Sequence, residues 1–159
     1  MVQFPNRKNF YLIIFFISLI STISALYIEY ILQYEPCKLC IYQRLPYLAA
    51  IFVSFMGYNY STNDKILILI IMIFTISTII SGYHFGIENS IFGELSACTS
   101  GSSDILNKSK LLETLNKNMP VNCKDATFKI LGISLAAINT ILSILIIIFS
   151  IRTLVYEKN

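Results

Sequence analysis

The sequence predicts an all-α membrane protein, a four-transmembrane-helix bundle with a short amphipathic surface helix in its second exported loop. Three observations carry that fold class. Hydrophobic residues make up 55% of the 159-residue chain, and a mean hydropathy of +0.67 is too high for an ordinary soluble domain of that length. Four separate apolar runs each approach or exceed the ~20 residues that a helix needs to cross a bilayer. Charged residues account for only 13% of the chain, and most of them lie outside those runs. The net charge of +3 is small and scattered, which argues against a nucleic-acid partner. With short tails and no internal repeat, residues 1–159 read as a single domain immersed in the lipid bilayer.

The first span covers about 10–28, with Arg7 and Lys8 before it and Glu29 as its first charge. It reads as an uncleaved helix: the apolar run exceeds the roughly 7–15 residues of a signal-peptide core, and Ile23-Ser24-Ala25 is a poor cleavage site. The second, about 41–58, carries Arg44 and Pro46 in its opening turns. Pro46 has no N–H, so the Tyr42 carbonyl loses its helical donor and a bend is expected there. A polar turn at 59–64 leads to the third span, about 66–84, which ends at His84. The fourth, about 128–151, is interrupted by Lys129 near its start and by Asn139, which is expected to hydrogen-bond between helices. Between spans three and four, Ser102-Ser103-Asp104 resembles a helix start. Ile105, Leu112, Leu115 and Met119 follow at roughly helical spacing, which reads as the surface helix; a solvent loop is the alternative.

Four spans put both termini and the 59–65 turn on one side and the 30–40 and 85–126 loops on the other. Lysines and arginines occupy both sides, so their count does not decide orientation. Giving priority to Arg7 and Lys8 before the first helix favours cytoplasmic termini. That orientation exports all four cysteines: Cys37 and Cys40 in the first loop, Cys98 and Cys123 in the second. An even number of cysteines on an oxidising face implies disulfides. Two inert staples are the bland reading. A Cys-x-x-Cys ring is too small to stabilise much through chain entropy, whereas Cys98 and Cys123 enclose a loop long enough to do so. No metal is expected, because the second pair is widely spaced and the chain has one histidine.

The segment Cys37-Lys-Leu-Cys40-Ile-Tyr-Gln-Arg44-Leu-Pro46-Tyr47 resembles the signature of the disulfide-bond-formation protein B (DsbB) family. Tyr83-His84-Phe85-Gly86-Ile87-Glu88 is similar to that family's segment at the end of the third helix. Ala97-Cys98-Thr99, Cys123 and the run from Phe128 to Ala136 resemble its second exported loop and the start of its fourth helix. The resemblance covers nearly the whole chain, in order. It implies an enzyme of the bacterial inner membrane, a protein-disulfide:quinone oxidoreductase that reoxidises a DsbA-type periplasmic thiol oxidant. The implied cofactor is a quinone of the ubiquinone or menaquinone type. By the same resemblance, Cys98 forms the mixed disulfide with the soluble partner and Cys123 is its bonded mate. The electron pair then passes to Cys37–Cys40, and Cys40 donates to the quinone.

Arg44 has two readings: a charge that snorkels to the interface, or a cation fixed beside the Cys40 thiolate and a quinone carbonyl. The resemblance favours the second and makes Arg44 a cofactor-binding residue. His84 likewise reads either as an interfacial polar residue or, by resemblance, as a hydrogen-bond donor or proton relay on the quinone side. The chain departs from the family in having no tryptophan; Phe128 and Ile138 stand where the family often has one. Lys124 follows Cys123 where an acidic residue is frequent. Both departures bear on partner docking. Two other functions compete. One is a vitamin K epoxide reductase-like thiol enzyme, in which the redox Cys-x-x-Cys sits late in the chain. The other is a non-catalytic four-span protein with a stapled loop.

Overall fold

The computed structural model describes residues 6–60, 63–93, 129–130 and 133–156. Four long helices dominate it: α1 (Arg7–Tyr30), α2 (Lys38–Asn59), α3 (Asp64–Glu88) and α4 (Leu135–Tyr156). All four are long and apolar enough to cross a membrane. The expected spans are therefore present, with ends that differ for local reasons. Cys37 caps α2, so that helix starts three residues before the expected Ile41. Asn63 caps α3 through a 3.1 Å bond from the Lys65 N–H to its side chain, and α3 continues one turn beyond His84 to Glu88. The fourth helix starts at Leu135, later than expected. Lys129–Ile130 and Ile133–Ser134 instead form a two-residue antiparallel pair, β1 and β2, before it. Ser134 then accepts the Ala137 N–H at 3.2 Å through its side chain, which gives α4 its starting cap. Helix α2 runs on through Pro46.

Lipid explains why almost any apolar helix surface is acceptable here, and why the contacts that do form are specific. Side chains such as Phe16, Phe52, Ile79 and Phe149 point outward, as expected where hydrocarbon is the solvent. Buried positions carry many small residues, with Ser18, Ser54, Ser77, Ser81, Ser143 and Ser150 fully enclosed. Small side chains let helix backbones approach, and their hydroxyls bond within or between helices. Ser143 of α4 donates to Ser77 of α3 at 3.1 Å, whereas Ser54 and Ser81 return their protons to carbonyls one turn back. Helix α1 packs on α2, α2 on α3, and α3 on α4.

The hydrophobic core occupies one half of the bundle. Tyr11 and Ile14 of α1, Tyr47 and Ala50 of α2, and Leu67 and Phe74 of α3 pack together in the half that holds the chain ends. Tyr47 and Phe74 meet edge to face with ring centroids 5.7 Å apart. An Arg7–Asp64 ion pair at 2.5 Å ties the start of α1 to the start of α3. Gly57 makes this half possible: a Cβ there would lie 2.7 Å from the buried Tyr11 ring. Gly57→Ala is therefore expected to destabilise the bundle by about 1–3 kcal/mol through overpacking. Thermal unfolding in detergent checks this. Combining it with Tyr11→Leu should recover much of the loss, since both changes act on one contact.

Candidate active site

The other half of the bundle is built around Cys37. Helix α1 ends at Tyr30, a left-handed Gln33 with φ of 59° follows, and the chain turns towards α2. Cys37 then adopts an extended conformation, and its Sγ accepts the Cys40 N–H at 3.2 Å. A sulfur thus takes the capping place that serine or aspartate usually fills. One consequence is that Cys40 lies within the first turn of α2, not before it. The two sulfurs are 2.8 Å apart and hydrogen-bonded to each other. Cys37 is fully buried, packed with Ile87 and against Leu39 and Tyr83. Cys40 is half-buried and faces a cavity.

Helix α3 brings His84 to the pair. Its Nε2 is 3.6 Å from Cys37 Sγ and 3.7 Å from Oε1 of Glu88, one turn further along the same helix. Its Nδ1 is 2.8 Å from the amide nitrogen of Gln43. On the far wall, Arg44 forms an ion pair with Glu29 of α1. Glu29 reads from sequence as a solvated span-end charge; here its side chain is three-quarters buried against the guanidinium. Asn139 makes the expected interhelical contacts, accepting from the Tyr47 hydroxyl and donating to Gln43 at 3.0 Å.

Gln43, Arg44, Tyr47, His84, Glu88 and Asn139 line a cavity of about 330 Å³ together with Cys40. Its walls come from the loop-side half of α1, around Ile20 to Ile28, the first turns of α2, the end of α3 and the start of α4. Most of the surface is apolar, with Cys40, Arg44, Gln43 and His84 converging on it. Both volume and character match ordinary ligand sites, which run to roughly 300–1,000 Å³ with a few placed polar groups. The donor atoms of Cys37, Cys40 and His84 lie within 4.8 Å of one another. That is three donors, one fewer than a closed zinc site takes, and a dithiol with a hydrogen-bonding imidazole accounts for the same grouping.

The surroundings of Cys37 disfavour its thiolate. Contact with Cys40 and then burial push the Cys37 thiol up to about 12, against a smaller lowering from the His84 hydrogen bond. Cys37 thus stays protonated well above neutral pH. Limiting iodoacetamide at about pH 8 is expected to alkylate Cys40 first, with Cys37 catching up only as pH rises towards its own ionisation. Peptide mapping by mass spectrometry reads the order.

Four of the six residues singled out in the sequence, Cys37, Cys40, Arg44 and His84, meet around this cavity. Cys98, Cys123 and the expected surface helix lie outside the described residues. Sequence reading missed Gln43, Glu88, and Glu29 as the partner of Arg44. Helical spacing held part of the signal: Gln43 follows Cys40 by three positions and Glu88 follows His84 by four, so each pair shares a helix face. Nothing in the sequence joins Glu29 to Arg44, because that contact depends on how α1 packs on α2.

Comparison with known proteins agrees with this architecture. Residues 7–153 match the family model described as disulfide bond formation protein DsbB. An uncharacterized protein of Rickettsia prowazekii (strain Madrid E) is 32% identical over 161 residues, which covers 99% of this chain and 94% of that protein. The SPbeta prophage-derived disulfide bond formation protein B of Bacillus subtilis (strain 168) is 30% identical over 51% of this chain and 54% of its own length. Disulfide bond formation protein B of Shewanella denitrificans is 35% identical over 36% of this chain and 33% of its own. With a matching family model across nearly all of its length, four membrane-length helices and a paired dithiol, the chain belongs to the DsbB family of disulfide-forming membrane proteins.

Proposed function

We propose that this protein is a protein-disulfide:quinone oxidoreductase that reoxidises a soluble DsbA-type thiol oxidant and passes the electron pair to a quinone in the bilayer. One observation carries the reading: Cys40 forms part of the wall of a largely apolar cavity, and the Cys37 sulfur lies 2.8 Å from its own. The cavity is wide enough for a substituted ring, its apolar wall suits a lipid-soluble molecule, and polar groups are gathered on one side. A quinone bound there would supply a two-electron acceptor.

The chain's own residues then divide the work. Cys40, half-exposed to the cavity, is the sulfur that gives up electrons, and Cys37 closes the disulfide on it from 2.8 Å. Arg44, held to α1 by Glu29, presents a positioned guanidinium to the cavity, and its unused donors serve a carbonyl. Cys98 and Cys123 receive electrons from the soluble partner and hand them to Cys37–Cys40 by thiol–disulfide exchange. The protein lies in the bacterial inner membrane with both termini in the cytoplasm and all four cysteines in the periplasm. A membrane-impermeant thiol reagent applied to reduced, intact spheroplasts should then label cysteines without lysis; labelling only after lysis reverses the orientation.

The deciding measurement uses purified protein in detergent with a reduced dithiol protein and a ubiquinone or menaquinone analogue. Quinone absorbance should fall in step with oxidation of the dithiol. No quinone reduction by protein whose thiols are intact would overturn the proposal.

A further inference from the structure

A continuous line of hydrogen bonds runs from the middle of the bundle to the buried sulfur. Tyr47 of α2 donates its hydroxyl proton to Oδ1 of Asn139 on α4. Asn139 Nδ2 donates to Gln43 Oε1 at 3.0 Å, and Gln43 turns its amide nitrogen to His84 Nδ1 at 2.8 Å. A primary amide is an acceptor at one end and a donor at the other, so a direction set at one link is transmitted to the next. In this direction Nδ1 of His84 is an acceptor. A neutral imidazole that accepts at Nδ1 carries its proton on Nε2.

The opposite direction would also be self-consistent along the amides, because a tyrosine hydroxyl both donates and accepts. Glu88 breaks the tie. Its side chain is only 8% exposed, its Oε1 lies 3.7 Å from Nε2, and its Oε2 has no hydrogen-bond partner among the described residues. A carboxylate only accepts. A bare Nε2 lone pair facing it would be repelled, whereas an Nε2–H is attracted both to Glu88 and to the Cys37 sulfur 3.6 Å away.

We propose that Gln43 and Asn139 are positioning residues: with Tyr47 they form a directed hydrogen-bond chain that holds His84 with its proton on Nε2, aimed at Cys37. The chain acts through His84 on the reactivity of the buried thiol. Its bearing on turnover rests on the thiol:quinone reading above; the protonation state of the ring does not. The same residues line the cavity, so the line joins the wall of the ligand site to the sulfur behind it.

The protein has a single histidine, so ¹⁵N-histidine labelling reports His84 without assignment. The full chain, reduced and in lipid nanodiscs, should show Nδ1 as an unprotonated, hydrogen-bonded nitrogen and Nε2 as a protonated one. Gln43→Leu should move the Nδ1 resonance towards its unbonded position. Asn139→Leu, two links from the ring, should move it the same way and guards against a Gln43 variant that fails to fold. A protonated Nδ1 in the unmodified protein, or an Nδ1 resonance that neither variant moves, overturns the proposal.

A second readout is the rate of Cys37 alkylation at fixed pH. Gln43→Leu and His84→Ala should each slow it about tenfold, because each removes or misdirects the Nε2–H that would stabilise the Cys37 thiolate. The double variant should be no slower than either single one. Slowing by His84→Ala with none by Gln43→Leu removes the chain from the mechanism. If the unmodified protein reduces no quinone, the thiol:quinone reading fails while the spectra still decide the chain.

Discussion

Cys123→Ala is expected to stop turnover and leave the soluble partner covalently attached to Cys98. With its mate removed, Cys98 keeps a free thiol that can enter a mixed disulfide but has no neighbour in its own loop to resolve it. The product is a band of combined mass on a non-reducing gel, lost on adding dithiothreitol. The effect is all or none. If Cys98→Ala traps the partner and Cys123→Ala does not, the two roles are exchanged. If neither variant traps it, the second pair is a staple and the path into Cys37–Cys40 lies elsewhere.

The next largest effect is expected at Arg44. One face of its guanidinium is committed to Glu29, and what remains is a rigid set of donors towards the cavity. Arg44→Lys keeps the charge but loses the planar fork, so it cannot satisfy Glu29 and a carbonyl in the same geometry. Loss of one charge-assisted bond is worth about 1.5–3 kcal/mol, or roughly one to two decades in affinity. The apparent quinone KM should therefore rise about tenfold or more in Arg44→Lys. Exchange between the soluble partner and Cys98–Cys123 should stay near normal. Glu29→Gln offers a useful contrast, since it leaves the fork intact and frees it from its anchor. Steady-state kinetics over a quinone series separates these outcomes, and an unchanged KM with unchanged turnover in Arg44→Lys would return the residue to an interface anchor.

Much of the fold was legible because lipid makes a simple demand: long apolar helices and little else. The four spans follow from that demand, and so does the placing of Cys37 and Cys40 near the join of the first and second. Helix ends were less legible. They depend on single capping groups, and a cysteine in the capping position is not an ordinary helix-start signal. The late start of α4 depends on a two-residue pairing that no periodicity marks. Within the site, the thiols, Arg44 and His84 stood out because their chemistry is conspicuous in an apolar sequence. Gln43 and Glu88 did not, because an amide or a carboxylate near a span end is ordinary. Their role arises only when α2, α3 and α4 are brought together.

The core is centred towards one end of the four helices and the cavity towards the other, meeting at Tyr47 and Leu142, and this has an evolutionary consequence. Residues that keep the bundle together, such as Tyr11, Leu67 and Phe74, are not the ones that meet a ligand. Wall positions such as Ile20, Ile28 and Ile138 can therefore drift towards a differently shaped ligand without removing the contacts that hold the protein up. If the cavity takes a membrane electron carrier as proposed, a lineage that changes that carrier follows the change by substitution at one end alone.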